Sequence, residues 1–240
     1  MKRVCKEAEC KCYWQFYDRE KDLCGDLSRA LAGEGGPMSN VYEAPLNLFA
    51  ILAFESAARC AEAVGEATDA ARWRRAADAI RSVVRQKFWN AAKQQFETRL
   101  GASLAPAELS QALGLLANAV PEESRAGVIR KLSAPSDWTK TSLSQSLYKY
   151  EALRLAGGEA EQAMLKMMDA TWSAMLNEGA TSFWEVIEGW KAFYNAGSLC
   201  HGWSAIPVYF YWVSRRRFAK FSGRSSSGVR STRTSGVIIP

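Results

Sequence analysis

The chain has 240 residues, with 31 Lys and Arg against 25 Asp and Glu, and 48% of it is hydrophobic, enough for one large or two small domains with a real core. No apolar run of about 20 residues is free of charge, which speaks against a membrane span. The opening MKRVCKEAECKC begins basic but has no apolar stretch behind it, which speaks against a secretory signal and makes a cytoplasmic protein the expectation.

Taken from the N-terminus, residues 1–12 form an atypical segment in which Cys5, Cys10 and Cys12 are spaced C-x4-C-x-C, with Cys24 following. Zinc sites pair such cysteines with a second pair at a set distance. That pair is missing, so free thiols and no metal are expected.

From there the chain reads as helices. VYEAPLNLFAILAFESAARCAEAVG places Leu46, Phe49, Leu52, Ala53 and Cys60 at helical spacing and ends at Gly65. ATDAARWRRAADAIRSVVRQKFWN follows with Trp73, Ala77, Ile80, Val84 and Phe88, and the short break between them makes an antiparallel pair. PAELSQALGLLANAV and PEESRAGVIRKLS form a second pair, each opening on a proline suited to a first helical turn. SLSQSLYKYEALRLAG and EAEQAMLKMMDATWSAMLNEGA form a third, across Gly157 and Gly158. GSLCHGWSAIPVYFYWVS reads as a last apolar helix that Pro207 kinks or interrupts, with Trp203, Tyr209 and Trp212 expected in the core. Strand-like alternation is weak throughout, so the fold expected is all-α, about seven helices in antiparallel hairpins.

Beyond Val213 the tail holds six Arg, one Lys and no acid, which leaves 24 basic residues against 25 acidic ones in the body. Its Ser, Gly and Arg composition predicts disorder over 214–240. Nucleic-acid binding would need basic residues spread over a folded face, so no nucleic-acid partner is expected.

The chemistry concentrates in Gly179–Pro207, GATSFWEVIEGWKAFYNAGSLCHGWSAIP, which holds two acids, three tryptophans and the only histidine of the chain. Long loops between hairpins gather at one end of a toroid and build sites there. Trp138, Trp184, Glu185, Glu188, Trp190 and His201 are expected to converge at that end. An indole face packs on the C–H face of a sugar ring, and a carboxylate binds a hydroxyl or takes a proton from water. Hydrolysis of a glycoside takes two carboxyl groups, about 6.5–9.5 Å apart in inverting enzymes. Glu185 and Glu188, three apart, would flank the same side of a helical turn, so only one of them is assigned a catalytic role. Glu185, beside Trp184, is the candidate base. His201 is read either as a structural hydrogen-bonder or as a partner for a sugar hydroxyl.

GATSFWE, followed by an aromatic linker and SLCHGWSAIPVYF, resembles the end of the catalytic domain of bacterial α-L-rhamnosidases. YWQFYD, YEAPLNLFAILAFESAARCAEAVG and ARWRRAADAIRSVVRQKFWN are similar to the hairpins that lead up to it. The resemblance covers about Tyr13 to Trp212 and implies a partial (α/α)6 barrel, a six-hairpin toroid, over residues 13–213. It implies inverting hydrolysis of terminal α-L-rhamnose from a glycoside or oligosaccharide, without cofactor, with Glu185 as general base and His201 lining the sugar pocket. Trp184, Trp190 and Trp14 are its candidates for the aromatic wall.

Six hairpins make about twelve helices, and seven are read here. The acidic stretch that carries the family's general acid has no counterpart; Asp18, Glu20 and Asp22 in YDREKD lie outside that context. The expectation is therefore a fragment with the base side of the site, prone to self-association through its open face. Two alternatives stand beside it: a non-catalytic helical module that binds a carbohydrate or a partner, and a six-hairpin glycosidase for another sugar.

Overall fold

The computed structural model describes residues 42–101 and 104–221, the last seven as backbone only. The cysteine-rich start, Trp14, Asp18, Glu20, Asp22 and the basic tail past Phe221 lie outside the described residues.

The chain enters at an antiparallel bridge between Glu43 and Arg99. Their buried side chains pair at 2.7 Å. Helix α1 (Ala44–Ala63) has proline in its first turn, where a missing N–H has no helical partner to lose. Gly65, at φ +83°, turns the chain into α2 (Ala67–Phe88). Phe54 of α1 and Trp73 of α2 stack with ring centroids 5.4 Å apart. On α2 the buried positions Ala77, Val84 and Phe88 follow the expected stripe. On α1 they are Ala44, Pro45, Leu48, Ile51 and Ala58, a face rotated from the expected one, and Cys60 is exposed. The reason is that α1 touches two neighbours, α2 and the later α3, so its apolar surface is divided between them.

A small antiparallel hairpin follows, β1 (Trp89–Asn90) with β2 (Gln95–Phe96), where helix was expected to run on through Asn90. Gln111 stabilises it as a further strand would. Its Oε1 accepts the Phe96 N–H at 2.8 Å and its Nε2 donates to the Phe96 carbonyl at 2.9 Å.

Helix α3 (Glu108–Leu116) is buried from Glu108 through Leu115 and lies at the centre of the molecule. Helix α4 (Glu122–Leu132) returns after Pro121, which serves as its N-cap and not as its first residue. Helices α5 (Ser146–Ala156) and α6 (Gly158–Asn177) meet at Gly157 and Gly158, both at positive φ, which lets one end where the next begins. The last helix, α7 (Ile206–Phe221), starts nine residues later than GSLCHGW suggested. Pro207 therefore sits in its first turn and kinks nothing.

Packing runs in a row: α1 on α3, α3 on α5, α5 on α7. Helix α2 returns against α1, α4 against α3 and α5, and α6 against α5 and α7. This is an arc of helical hairpins, the expected partial α/α toroid. Lys149 of α5 and Glu108 of α3 join two helices of the row at 2.6 Å in the interior, and the second Glu108 oxygen accepts the Thr141 N–H at 3.2 Å. Burial pushes the neighbouring Tyr150 phenol up to about 12. On α7, Pro207, Phe210 and Ser214 are buried at spacings of three and four. Tyr209 and Trp212, expected in the core, fall off that stripe and are exposed; Phe210 takes the core position. Among the described residues no helix is long and apolar enough to cross a membrane.

Candidate active site

Between α6 and α7 the chain makes a long excursion, Glu178–Ala205, whose only regular pieces are short turns: Gly189–Lys191, Ala192–Asn195 and Gly202–Ala205. Phe193, Tyr194 and Asn195 all take left-handed backbone conformations. Two irregular stretches of the excursion, 182–185 and 198–201, are joined by hydrogen bonds. Glu185 N–H donates to the Ser198 carbonyl at 2.8 Å, and His201 N–H donates to the Phe183 carbonyl at 2.6 Å. The Ser182 hydroxyl adds a bond to the Leu199 carbonyl.

This pairing sets the candidate base. Glu185 is only 7% exposed, and its Oε2 accepts the Ser198 N–H at 3.2 Å. Its carbonyl accepts the indole N–H of Trp203 at 3.0 Å. Trp203 in turn stacks on His201, ring centroids 3.7 Å apart and planes 16° from parallel. His201 Nδ1 is buried and has no hydrogen-bond partner among the described residues. The Gly202–Ala205 turn is tied to the scaffold by α6, since the buried Trp172 indole N–H donates to the Ser204 carbonyl at 2.9 Å.

The tryptophans divide. Trp184 is 8% exposed and belongs to the hydrophobic core, with its ring against Gly189. A Cβ on Gly189 would stand 2.7 Å from Trp184 Cε3, and one on Gly197 would stand 1.9 Å from the Gly189 carbonyl oxygen. Two glycines therefore let the excursion fold back on itself and on the indole. Trp190, one residue on, is 53% exposed. Glu188 is exposed and stands just before the Gly189–Lys191 turn without a side-chain cap to it, so the two carboxylates occupy different surroundings rather than one helical face. Trp138, expected at the same mouth, is buried beside the hairpin, with its indole N–H on Gln95 Oε1 at 2.8 Å and the Lys131 ammonium over its ring.

The sequence reading brought Glu185 and His201 to one place but missed what holds them. Ser198 and Trp203 are ordinary residues in an apolar-looking stretch. Their signal was the spacing Ser-Leu-Cys-His-Gly-Trp, with glycines at 189, 197 and 202 marking a folded loop and not a helix. Among the described residues no group of three or more His, Cys, Asp or Glu is placed to hold a metal ion.

An arc of helical hairpins that carries a buried carboxylate and several indoles on one long inter-hairpin loop defines the class, an all-α glycosidase-type domain. A family model described as the bacterial alpha-L-rhamnosidase six-hairpin glycosidase domain matches residues 33–214, and the chain belongs to that family. Among solved structures it is similar to a GH78-family rhamnosidase of Bacillus sp. GL1, at 26% identity and a TM-score of 0.65. That match covers 72% of this chain and 19% of the other, so the chain spans about a fifth of that protein's length. A search of curated proteins gave no match.

Proposed function

We propose that the chain carries the general-base side of an inverting α-L-rhamnoside-hydrolysing site, with Glu185 as the base. The observation that supports this most is the setting of Glu185, a buried carboxylate fixed at both its Oε2 and its carbonyl in the loop of a rhamnosidase-family domain. In this reading the Glu185 carboxylate takes a proton from water as the water oxygen attacks the anomeric carbon. The leaving oxygen takes its proton from an acid on another part of the complete site, and no residue of this chain is assigned to that role. Trp190, with its exposed indole, is the aromatic platform for the sugar, and Trp184 supports the loop from behind. His201, half-buried on the same loop, lines the sugar pocket in this reading. The ligand is a rhamnose-containing glycoside or oligosaccharide. Self-association through an open face of the partial toroid belongs to the same reading, and sedimentation over a range of concentrations tests it directly.

The test titrates the chain with L-rhamnose and assays it against 4-nitrophenyl α-L-rhamnoside. Binding is expected, and in any form that turns over, Glu185→Gln is expected to lower the rate by about 10²–10⁴-fold while rhamnose still binds. Unchanged turnover in Glu185→Gln sinks the base assignment. No rhamnose binding by the wild-type chain sinks the sugar site. Binding without hydrolysis supports the binding module over the enzyme for this chain by itself.

A further inference from the structure

We propose that Trp203 is a positioning residue that fixes Glu185 and His201 as one unit. The role rests on the reading of Glu185 as the base. One indole makes two unrelated contacts: its N–H donates to the carbonyl of a residue 18 positions earlier, and its face stacks on the imidazole two positions earlier. The first contact uses an in-plane donor at the ring edge and the second uses the π face, so neither competes with the other. The turn that bears Trp203 is held from behind by Trp172, through the Ser204 carbonyl. Hydrogen bonds between 182–185 and 198–201 join the loop's two arms.

The consequence is geometric. A base must be held within a fraction of an ångström of its productive position. Glu185 lies on an irregular loop with no helix or sheet to set its height. Among the contacts that set it are Ser198 N–H at the carboxylate, Ser198 carbonyl at the amide, and Trp203 at the carbonyl. Of these, Trp203 is the one that also touches His201 through its side chain, so it relates the base to the imidazole directly, beside the main-chain bond from His201 to Phe183. The imidazole, with Nδ1 unpartnered, has its orientation set by the stack and by its own backbone bond to Phe183.

The test uses the full chain and its single histidine, whose imidazole gives one set of NMR signals. Trp203→Phe keeps a ring for the stack and removes the N–H donor; Trp203→Leu removes both. In the wild type the imidazole signals are expected upfield of an exposed histidine, from the ring current of the stacked indole. Trp203→Leu is expected to return them toward the exposed position, and Trp203→Phe to leave them upfield. Trp203→Phe is also expected to speed amide hydrogen exchange at Glu185 and Ser198 by about tenfold, the loss of one ordinary hydrogen bond. Rhamnose binding, read from the same imidazole signals, is expected to weaken by about tenfold in Trp203→Phe and further in Trp203→Leu.

Imidazole signals unmoved in a folded Trp203→Leu chain overturn the proposal. So does unchanged amide exchange at Glu185 and Ser198 in Trp203→Phe. Unchanged rhamnose affinity in both variants, with the other readouts as expected, leaves Trp203 as packing and overturns its positioning role. A wild-type chain that does not bind rhamnose instead overturns the function proposed above, while the imidazole and exchange readouts still decide whether Trp203 holds the two loops together.

Discussion

Gly189→Ala should be one of the most damaging single-methyl additions in the molecule, and its cost can be worked from the structure. Gly189 has φ +57°, in the left-handed region, where an L side chain costs about 1–2 kcal/mol. The added Cβ would lie 2.7 and 2.8 Å from Cε3 and Cζ3 of Trp184, well inside an ordinary carbon–carbon contact of about 3.5–4.0 Å. Trp184 is buried in the core and cannot swing away freely, so overpacking adds about 1–3 kcal/mol. Together the loss expected is about 2–5 kcal/mol in a urea titration. The two causes separate in a Trp184→Leu background, where only the backbone cost should remain. A Gly189→Ala loss below about 0.5 kcal/mol, or the same loss in both backgrounds, refutes the account of Trp184 as the loop's support.

Two further predictions concern the scaffold. Lys149→Met leaves the Glu108 carboxylate buried without its cation, and should cost about 3–5 kcal/mol in the same titration, part of it recovered by adding Glu108→Gln; a loss under 1 kcal/mol refutes the pair as an interior contact. Tyr150, whose phenol is raised from 10.0 to about 12 by burial, stays neutral in the folded chain where the unfolded chain ionises. Its contribution is therefore complete below pH 10 and is lost as pH rises toward 12, about 2–3 kcal/mol in all. Tyr150→Phe should flatten that alkaline limb, and a limb of the same slope in the variant assigns it elsewhere.

Much of the fold was legible because hydrophobic period and breakers carry it. The α1–α2 turn was marked by Gly65, and the α5–α6 turn by Gly157 and Gly158, which the structure finds at positive φ. The misread pieces are those where a tertiary partner outweighs local preference. Trp89 and Asn90 look like the end of a helix but are drawn into a hairpin that the Gln111 side chain completes. Leu46 and Phe49 look like the inner face of α1, yet Leu48 and Ile51 are more buried, because two neighbouring helices divide that surface. Neither fact is local to the segment concerned.

The candidate residues stand out in the sequence by type, while the contacts that hold them do not, for a related reason. Glu185 and His201 announce themselves as an acid among indoles and as the lone histidine. Their positions, however, are set by residues 13 and 18 places beyond Glu185, through main-chain atoms that no side-chain pattern encodes. The glycines at 189 and 197 belong to the same set, since each acts by having no side chain where the loop crosses itself. All of these contacts lie within Phe183–Ser204, and a hydrogen bond from Trp172 of α6 ties that segment to a helix. Much of the geometry described around Glu185 is thus built within the α6–α7 connection itself. Imidazole shifts and the Gly189→Ala loss therefore read that local geometry directly on this chain, and in the proposed function turnover is the property that asks for more, an acid from outside these contacts.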